Sequence, residues 1–336
     1  MASRSSKKRS RPRGQGARGQ RQQAGSQRRR TSGNPAKRPV IEAGPVTLGD
    51  WIGAARLRTL PLAVAPVILG TGAAQVTDRH LHWVIALACL AVAVLLQIGV
   101  NFANDYSDGI RGTDANRVGP ARLTASGRVP AKQVLVIALV FFALAAVAGL
   151  AIVIRTQQWW MLLVGAACIV AAWFYTGGKR PYGYNALGEL FVFVFFGLVA
   201  VLGTTWVQSF ALPLEAWLAA VAAGLFACAV LLANNLRDID QDRVSGKRTL
   251  TVLIGRRATQ IVFTVFAVLP FLIAAFFALL LYPVAWLALL ALLGVGPAIL
   301  IVWTYREARE LVIALSLTSL SSVAYAALMY WALVAP

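Results

Sequence analysis

The sequence predicts an all-α protein, a polytopic membrane helical bundle of about nine transmembrane helices around a central cavity. Two observations lead to this fold class. Of the 336 residues, 58% are hydrophobic and only 13% are charged, whereas a soluble domain carries about 25% charged residues. So few charges cannot cover a water-exposed surface of this size. The second observation is a series of long apolar runs, each of a length that suits a membrane crossing.

The apolar runs follow one another from residue 59 to residue 334 and predict nine spans. A window of about 20 residues, the length that crosses a hydrocarbon core about 30 Å thick, places them at 59–77, 83–104, 133–154, 159–176, 186–208, 216–235, 258–281, 284–304 and 312–334. The fourth and eighth runs have short connections, so counts of eight or ten are the alternatives. The transmembrane domain therefore occupies residues 46–336.

The first 45 residues differ from the rest in composition. Residues 1–41 contain 13 of the 32 Lys and Arg residues and no acid, in a setting rich in Gly, Gln and Ser. Such a segment cannot bury enough apolar surface to offset its ordering entropy, so it is predicted to be a disordered basic cytoplasmic tail. Contact with anionic lipid headgroups is the favoured interpretation. An RNA-binding arm is the alternative, and no nucleic-acid partner is expected.

Charged residues between the spans predict the orientation. Of the 19 cations outside the tail, 17 fall on one side of the predicted bundle, and only Arg79 and Arg155 fall on the other. The positive-inside rule makes the crowded side cytoplasmic. The N-terminus and the long charged loops are then expected in the cytoplasm and the C-terminus outside, in a multi-pass protein of the bacterial plasma membrane.

Two acidic clusters follow the second and sixth spans, at residues 101–114 and 234–250. They contain six of the 13 acids: Asp105, Asp108, Asp114, Asp238, Asp240 and Asp242. If each helix continues past its span, spacings of three and four residues place the carboxylates on one face. Oxygen ligands of this kind suit Mg²⁺, which favours one or two carboxylates together with substrate phosphates. The clusters therefore predict a magnesium-assisted diphosphate site.

These clusters also carry a resemblance to a known family. Residues 104–108 read NDYSD and match an NDxxD motif, residues 238–242 match a DxxxD motif, and Tyr175 to Lys179 match a YxxxK element. Together they resemble the UbiA-type superfamily of membrane prenyltransferases. The segments 55–71, 97–114 and 234–250 most resemble its MenA-type branch, the 1,4-dihydroxy-2-naphthoate polyprenyltransferases. Gly112 stands where the superfamily has its last Asp, and the acid appears instead as Asp114.

The resemblance implies an enzyme that transfers a polyprenyl chain from polyprenyl diphosphate to an aromatic acid acceptor, with Mg²⁺ as cofactor. In the MenA-type branch the acceptor is 1,4-dihydroxy-2-naphthoate, carbon dioxide leaves and demethylmenaquinone forms. The implied metal ligands are Asn104, Asp105, Asp108, Asp114, Asp238, Asp240 and Asp242. The implied diphosphate contacts are Arg122, Lys179, Lys247 and Arg248, with Tyr175 nearby. Arg56 and Arg58 are candidates for the carboxylate of the acceptor, with positive-inside anchoring as their alternative role.

Three further interpretations stay open at this stage. Trp173, Phe174 and Phe193 are candidates to stabilise an allylic cation from the cavity wall. A different aromatic acceptor, 4-hydroxybenzoate or homogentisate, is the alternative within the superfamily. A cation-coupled transporter is the alternative from another class, although it favours acids near mid-membrane rather than at the cytoplasmic helix ends.

Overall fold

The computed structural model describes residues 45–112 and 122–335, which contain helices and turns and no strand. The expectations for the tail and for Asp114 fall outside the described residues. Ten helices run through the described part of the chain. They are α1 (Leu48–Ala55), α2 (Pro61–Asp78), α3 (Trp83–Arg111), α4 (Ala131–Thr156), α5 (Met161–Phe174), α6 (Gly188–Ser209), α7 (Leu214–Val244), α8 (Leu250–Leu280), α9 (Pro283–Thr304) and α10 (Glu310–Val334).

The all-α membrane fold is confirmed, and each predicted span coincides with an apolar helix. Among the described residues, seven helices are long and apolar enough to cross a membrane, namely α3, α4 and α6 to α10. The pair Leu48–Thr59 and Pro61–Asp78, which is bent by 45°, is an eighth candidate if its two pieces form one span. The ninth predicted span is the short helix α5, of 14 residues. The count of nine is therefore approximate.

Helix α7 is the buried axis of the bundle. In its most apolar stretch 78% of the residues are buried, against 11–50% in the other long helices. Eight of its 20 buried residues are alanine, and small side chains let helix backbones approach closely in a membrane. It packs against α2, the middle of α6, α8 and α10. Helices α3, α4 and α5 pack against one another, and α3 joins them to α2 and to the C-terminal part of α6.

Helices α3 and α7 are longer than a membrane crossing requires. They contain 29 and 31 residues, which correspond to roughly 44 and 46 Å of helix at 1.5 Å per residue. A hydrocarbon core is about 30 Å thick, so about three turns of each helix extend beyond it. Both acidic clusters begin in these extra turns, as the sequence predicted. The carboxylates are therefore held on rigid helix ends rather than on loops.

The contact between α6 and α7 depends on two glycines. A Cβ atom added to Gly224 would lie 2.6 Å from the ring of Phe193, and one added to Gly197 would lie 2.6 Å from the carbonyl oxygen of Ala220. Residues Phe193–Val199 of α6 form a π-helical turn at this point. The wider turn and the missing side chains together let the two backbones touch.

We expect Gly224→Val to destabilise the protein by about 1–3 kcal/mol, the typical cost of overpacking a filled contact. Thermal unfolding in detergent measures the effect. Gly296→Val on α9 is the matched control, because a Cβ atom at Gly296 meets nothing within 4 Å. Equal unfolding temperatures for the two variants would contradict the close α6–α7 contact.

Candidate functional site

A cavity of about 560 Å³ opens between the two acidic helix ends and extends into the apolar part of the bundle. Its polar end combines α3, α7 and the segments that follow α5 and α7. Eight residues predicted from the sequence line it: Arg56, Asn104, Asp108, Arg122, Tyr175, Asp238, Asp242 and Lys247. The tertiary structure thus brings both acidic clusters and several of their predicted cationic partners to one site.

Asp108 of α3 is the most heavily contacted acid at the polar end. The hydroxyl of Tyr184 donates a hydrogen bond to its Oδ1. Arg122 Nη2 lies 3.7 Å from Oδ2, and Lys247 Nζ lies 3.6 Å from Oδ1. All these side chains are largely buried, so their charges are only weakly screened. The carboxylate is therefore held by cations from two other segments.

The two acids of α7 that line the cavity, Asp238 and Asp242, have separate cationic neighbours. Both nitrogens of the Arg237 fork bind Asp238, at 2.8 and 2.7 Å, a bidentate arrangement that is geometrically specific. Asp242 lies 3.9 Å from the same Lys247 ammonium that approaches Asp108. One lysine therefore lies between the carboxylates of two helices.

The donor set at this end fits a magnesium ion that is shared with a phosphate. Within residues 45–112 and 122–335, no three His, Cys, Asp or Glu side chains are close enough together to hold a metal by themselves. Asp108, Asp238 and Asp242 nevertheless offer only oxygen donors to one cavity. Mg²⁺ is usually bound by one or two carboxylates, waters and substrate phosphates. The three carboxylates are compatible with an Mg²⁺ ion whose remaining ligands are phosphate and water oxygens.

Asp105 was predicted as a metal ligand, but its side chain does not face the cavity. The side chain is fully buried. It accepts hydrogen bonds from the backbone N–H groups of Leu123 and Thr124, at 3.0 and 2.9 Å. Gly109 makes room for this contact, since a Cβ atom there would lie 2.4 Å from Thr124. Asp105 thus anchors the segment that carries Arg122.

Four other predicted site residues lie off the cavity. Asp240 points away from it and pairs with Arg256 at an exposed position. The side chains of Arg58, Lys179 and Arg248 are exposed and do not line the cavity. The physical reason for Asp240 is helical geometry, because a residue two positions from both Asp238 and Asp242 lies on the opposite face of α7.

Asn104 lines the cavity but its amide oxygen is already engaged. The hydroxyl of Thr176, at the end of α5, donates to Asn104 Oδ1 at 2.7 Å. This bond ties α5 to α3 beside the acidic cluster. The guanidinium of Arg111 strengthens the same junction by donating to the carbonyl oxygens of Thr176 and Gly178.

The sequence analysis missed several polar residues of the cavity. Gln97 and Asn101 line it below Asn104 on the same face of α3. Their spacing from Asp108, by 11 and 7 residues, is the helical repeat of that face and could have identified them. Tyr184 carried no comparable signal, because the segment after α5 has no regular periodicity. Only the folded chain brings its hydroxyl to Asp108.

Aromatic rings line the cavity next to the polar end, and they are not the predicted ones. Tyr182 stacks on Phe191 with ring centroids 4.1 Å apart, and Phe191 stacks on Phe195 at 6.1 Å. Trp173, Phe174 and Phe193 do not line the cavity. Burial raises the pKa of Tyr182, so its phenol stays protonated and donates to the carbonyl oxygen of Ala171 at 2.7 Å.

Gln97 belongs to a second polar group of the cavity wall, with the hydroxyl of Thr59 and the backbone carbonyl of Arg56. Thr59 donates its hydroxyl proton to the carbonyl oxygen of Arg56 at 3.0 Å. Gln97 Nε2 donates to the same Thr59 oxygen at 3.1 Å. Because the threonine proton is already used, the amide of Gln97 must turn its nitrogen towards Thr59. Gln97 Oε1 is left buried with no hydrogen-bond partner among the described residues.

The chain is similar to proteins of one family. A family model described as the UbiA prenyltransferase family matches residues 63–322. The chain is 50% identical over 217 residues to 1,4-dihydroxy-2-naphthoate octaprenyltransferase of Mycobacterium tuberculosis, which covers 65% of this chain and 74% of that protein. The protein of the same name from Escherichia coli is 41% identical over 211 residues, or 61% of this chain and 68% of that protein.

Solved structures share the fold at low sequence identity. A UbiA homologue from Aeropyrum pernix K1, in its apo form, superposes with a TM-score of 0.62 at 16% identity and covers 80% of this chain and 97% of that one. A UbiA homologue from Archaeoglobus fulgidus bound to GPP and Mg²⁺ gives a TM-score of 0.59 at 14% identity and covers 82% and 98% of the two chains.

We expect Asp105→Asn to destabilise the protein more than Asp108→Asn. An asparagine at 105 accepts one of the two backbone hydrogen bonds and turns an N–H₂ group towards the other donor. Losing a hydrogen bond to a charged group costs roughly 1.5–3 kcal/mol. Asp108→Asn keeps an oxygen for Tyr184. It loses the attraction to Arg122 and Lys247. It also removes the repulsion between Asp108 and Asp242, which offsets part of that loss. Thermal unfolding in detergent compares the two, and equal losses would contradict an anchoring role for Asp105.

Proposed function

This chain belongs to the UbiA prenyltransferase family, and we propose on that premise that it is a 1,4-dihydroxy-2-naphthoate polyprenyltransferase of menaquinone biosynthesis. It transfers a polyprenyl chain from polyprenyl diphosphate to the ring carbon of 1,4-dihydroxy-2-naphthoate that bears the carboxylate. Diphosphate and carbon dioxide leave, and the product is the hydroquinone form of demethylmenaquinone. The observation that carries this proposal is the 50% identity to a relative with that name. The cavity, with acids at its mouth and apolar walls below, supports it.

The polar end binds the diphosphate in this proposal. Asp108, Asp238 and Asp242 hold the Mg²⁺ that accompanies it, and Arg122 and Lys247 bind its oxygens. Bound Mg²⁺ neutralises charge on the leaving diphosphate. The two cations add donors where negative charge develops as the C–O bond breaks, which lowers the barrier to departure. Asp105 acts indirectly, because it holds the backbone next to Arg122.

The apolar part of the cavity holds the isoprenoid chain. Breaking the C–O bond leaves an allylic cation just below the polar end. The stacked rings of Tyr182, Phe191 and Phe195 lie along this wall, and aromatic faces attract cations by about 0.5–2 kcal/mol. The same rings exclude water, which would otherwise capture the cation.

Arg56 and Gln97 are suited to hold the aromatic acceptor. Arg56 lines the cavity, and its guanidinium would bind the carboxylate of the acceptor as a charge-assisted pair. The buried, unsatisfied Oε1 of Gln97 can accept a proton from a ring hydroxyl, which would remove a desolvation cost of about 1–3 kcal/mol. The acceptor thereby has one group for its carboxylate and one for a hydroxyl. Arg58 is exposed and takes no part.

In this proposal the protein has a fixed orientation in the membrane. The cation-rich ends of α3 and α7, with the mouth of the cavity, face the cytoplasm of a bacterial cell, and the C-terminus lies outside, as the positive-inside rule predicts. A water-soluble aromatic acid then reaches the site from the cytoplasm, whereas the isoprenoid chain enters the apolar part of the cavity from the membrane.

The test is an assay of the purified protein with Mg²⁺, a polyprenyl diphosphate and one aromatic acid at a time. We expect prenylated product from 1,4-dihydroxy-2-naphthoate and not from 4-hydroxybenzoate or homogentisate. A carbon-13 label in the ring carboxylate should appear as carbon dioxide in step with product, measured by mass spectrometry. Retention of the label, or turnover of 4-hydroxybenzoate alone, would overturn the assignment of the acceptor.

We expect Arg56→Gln to raise the KM for the naphthoate at least tenfold and to leave the KM for polyprenyl diphosphate nearly unchanged. The reason is the loss of a charge-assisted pair, which contributes about 1.5–3 kcal/mol. Arg58→Gln is the matched control, since its side chain is exposed and does not line the cavity. Steady-state kinetics, with the concentration of each substrate varied in turn, measure both KM values for each variant. A raised KM for the diphosphate instead would place Arg56 at the other end of the site.

A further inference from the structure

Lys247 occupies the space between the carboxylates of two different helices. Its ammonium lies 3.6 Å from Asp108 Oδ1 on α3 and 3.9 Å from Asp242 Oδ1 on α7. The ring of Tyr184 lies against it, with the centroid 4.5 Å from Nζ. Only 11% of the lysine side chain is exposed. The charge is therefore held in a built and mostly buried position.

The backbone after α7 directs this lysine back over its own helix. Helix α7 ends at Val244, and Gly246 adopts a left-handed conformation with φ of 77°. The chain reverses there, and the N–H of Lys247 donates to the carbonyl oxygen of Asp242 at 2.9 Å. Glycine accepts this conformation without the strain that a side chain would cause. The position of Lys247 is thus set by the end of the helix that carries Asp242.

One ammonium between two carboxylates has the electrostatic role of a bridging cation. Two carboxylates brought together at a buried site repel each other, and their repulsion is larger where water is excluded. Lys247 offsets it by attracting both. A divalent cation bound by Asp108 and Asp242 would repel the ammonium at this short range. The lysine and the metal therefore compete for the same pair of acids.

We propose that Lys247 is an exchangeable internal counter-ion that prevents the metal from binding tightly to the substrate-free protein. When a diphosphate enters with its metal ion, the ammonium leaves the two acids and binds phosphate oxygens, so the net charge of the site stays balanced. The metal and the diphosphate therefore bind together rather than in sequence. The inference rests on the proposed function for the diphosphate, whereas the competition with metal rests on the distances alone.

The flexible stem of lysine suits this exchange. Rotation about the bonds of its four-carbon stem lets the ammonium move several ångströms without moving the backbone. The ammonium is also a compact point charge, so it can bind an anion from any direction. The cation–π contact with Tyr184 keeps the side chain near the site during the movement. Arg122 approaches Asp108 from a different segment of the chain. A bound diphosphate would therefore meet two cations, Arg122 and Lys247.

The test measures Mn²⁺ binding to the purified, substrate-free protein in detergent, by electron paramagnetic resonance of the free ion. Mn²⁺ is the probe because it accepts the same oxygen ligands as Mg²⁺. We expect Lys247→Met to bind Mn²⁺ at least about tenfold more tightly than the wild-type protein. Unchanged or weaker Mn²⁺ binding by this variant would overturn the proposal. The experiment needs no acceptor and no turnover, so its result does not depend on the identity of the reaction.

Two variants separate charge from side-chain volume and from general effects on the loop. Lys247→Arg keeps the positive charge and should bind Mn²⁺ as weakly as the wild type. If it binds as tightly as Lys247→Met, charge competition is wrong. Arg248→Gln changes the neighbouring exposed cation, whose side chain does not line the cavity, and should leave Mn²⁺ binding unchanged. If Arg248→Gln tightened Mn²⁺ binding as much as Lys247→Met, the tighter binding would come from the net charge of the protein and not from the position of Lys247.

Two further measurements follow the exchange itself. Without metal, Lys247→Met should unfold at a lower temperature than the wild type. Addition of Mn²⁺ should raise the unfolding temperature of the variant more than that of the wild type. In the assay, Lys247→Met should raise the KM for polyprenyl diphosphate at least tenfold, because the ammonium no longer reaches the phosphate. Tighter Mn²⁺ binding with an unchanged KM would contradict the movement of the lysine to the diphosphate.

Discussion

The structure depends on holding negatively charged helix ends next to one another. Helices α3 and α7 extend past the length of a membrane crossing and bring Asp108 and Asp242 to the two sides of one lysine. Carboxylates in this arrangement repel unless cations lie between them. Arg122, Arg237 and Lys247 supply those cations. In the proposed function the same charged side chains bind the metal ion and the diphosphate.

The apolar packing of the bundle serves the same requirement. Carboxylates can be positioned within a few ångströms only if their helices are rigid. Helix α7 achieves this with small side chains, and Gly224 and Gly197 allow direct backbone contact with the π-helical turn of α6. The π-turn also places Phe195 on the cavity wall. One irregular helical turn thus contributes both to the packing of the bundle and to the wall of the cavity.

Polar residues line the cavity at three levels along the axis of α3. Asp108 lies at the mouth, Asn104 is tied to α5 through Thr176, and Gln97 lies further along the helix, bonded to Thr59. These residues repeat at helical spacing, so one rigid face presents them in a fixed order. In the proposed reaction the ring and the allylic carbon meet between the two polar groups, where the wall is aromatic and water is scarce.

The sequence by itself determined the fold class, the approximate number of spans and the identity of the two acidic motifs, because hydropathy and motif spacing are local properties of the chain. Helical periodicity also sufficed, in principle, for Gln97 and for the outward direction of Asp240. Only the tertiary structure decided that Asp105 binds the backbone at Leu123 and Thr124, and that Tyr184 and Lys247 reach Asp108. Those contacts join segments far apart in the chain, and no local pattern encodes which distant partner a side chain meets.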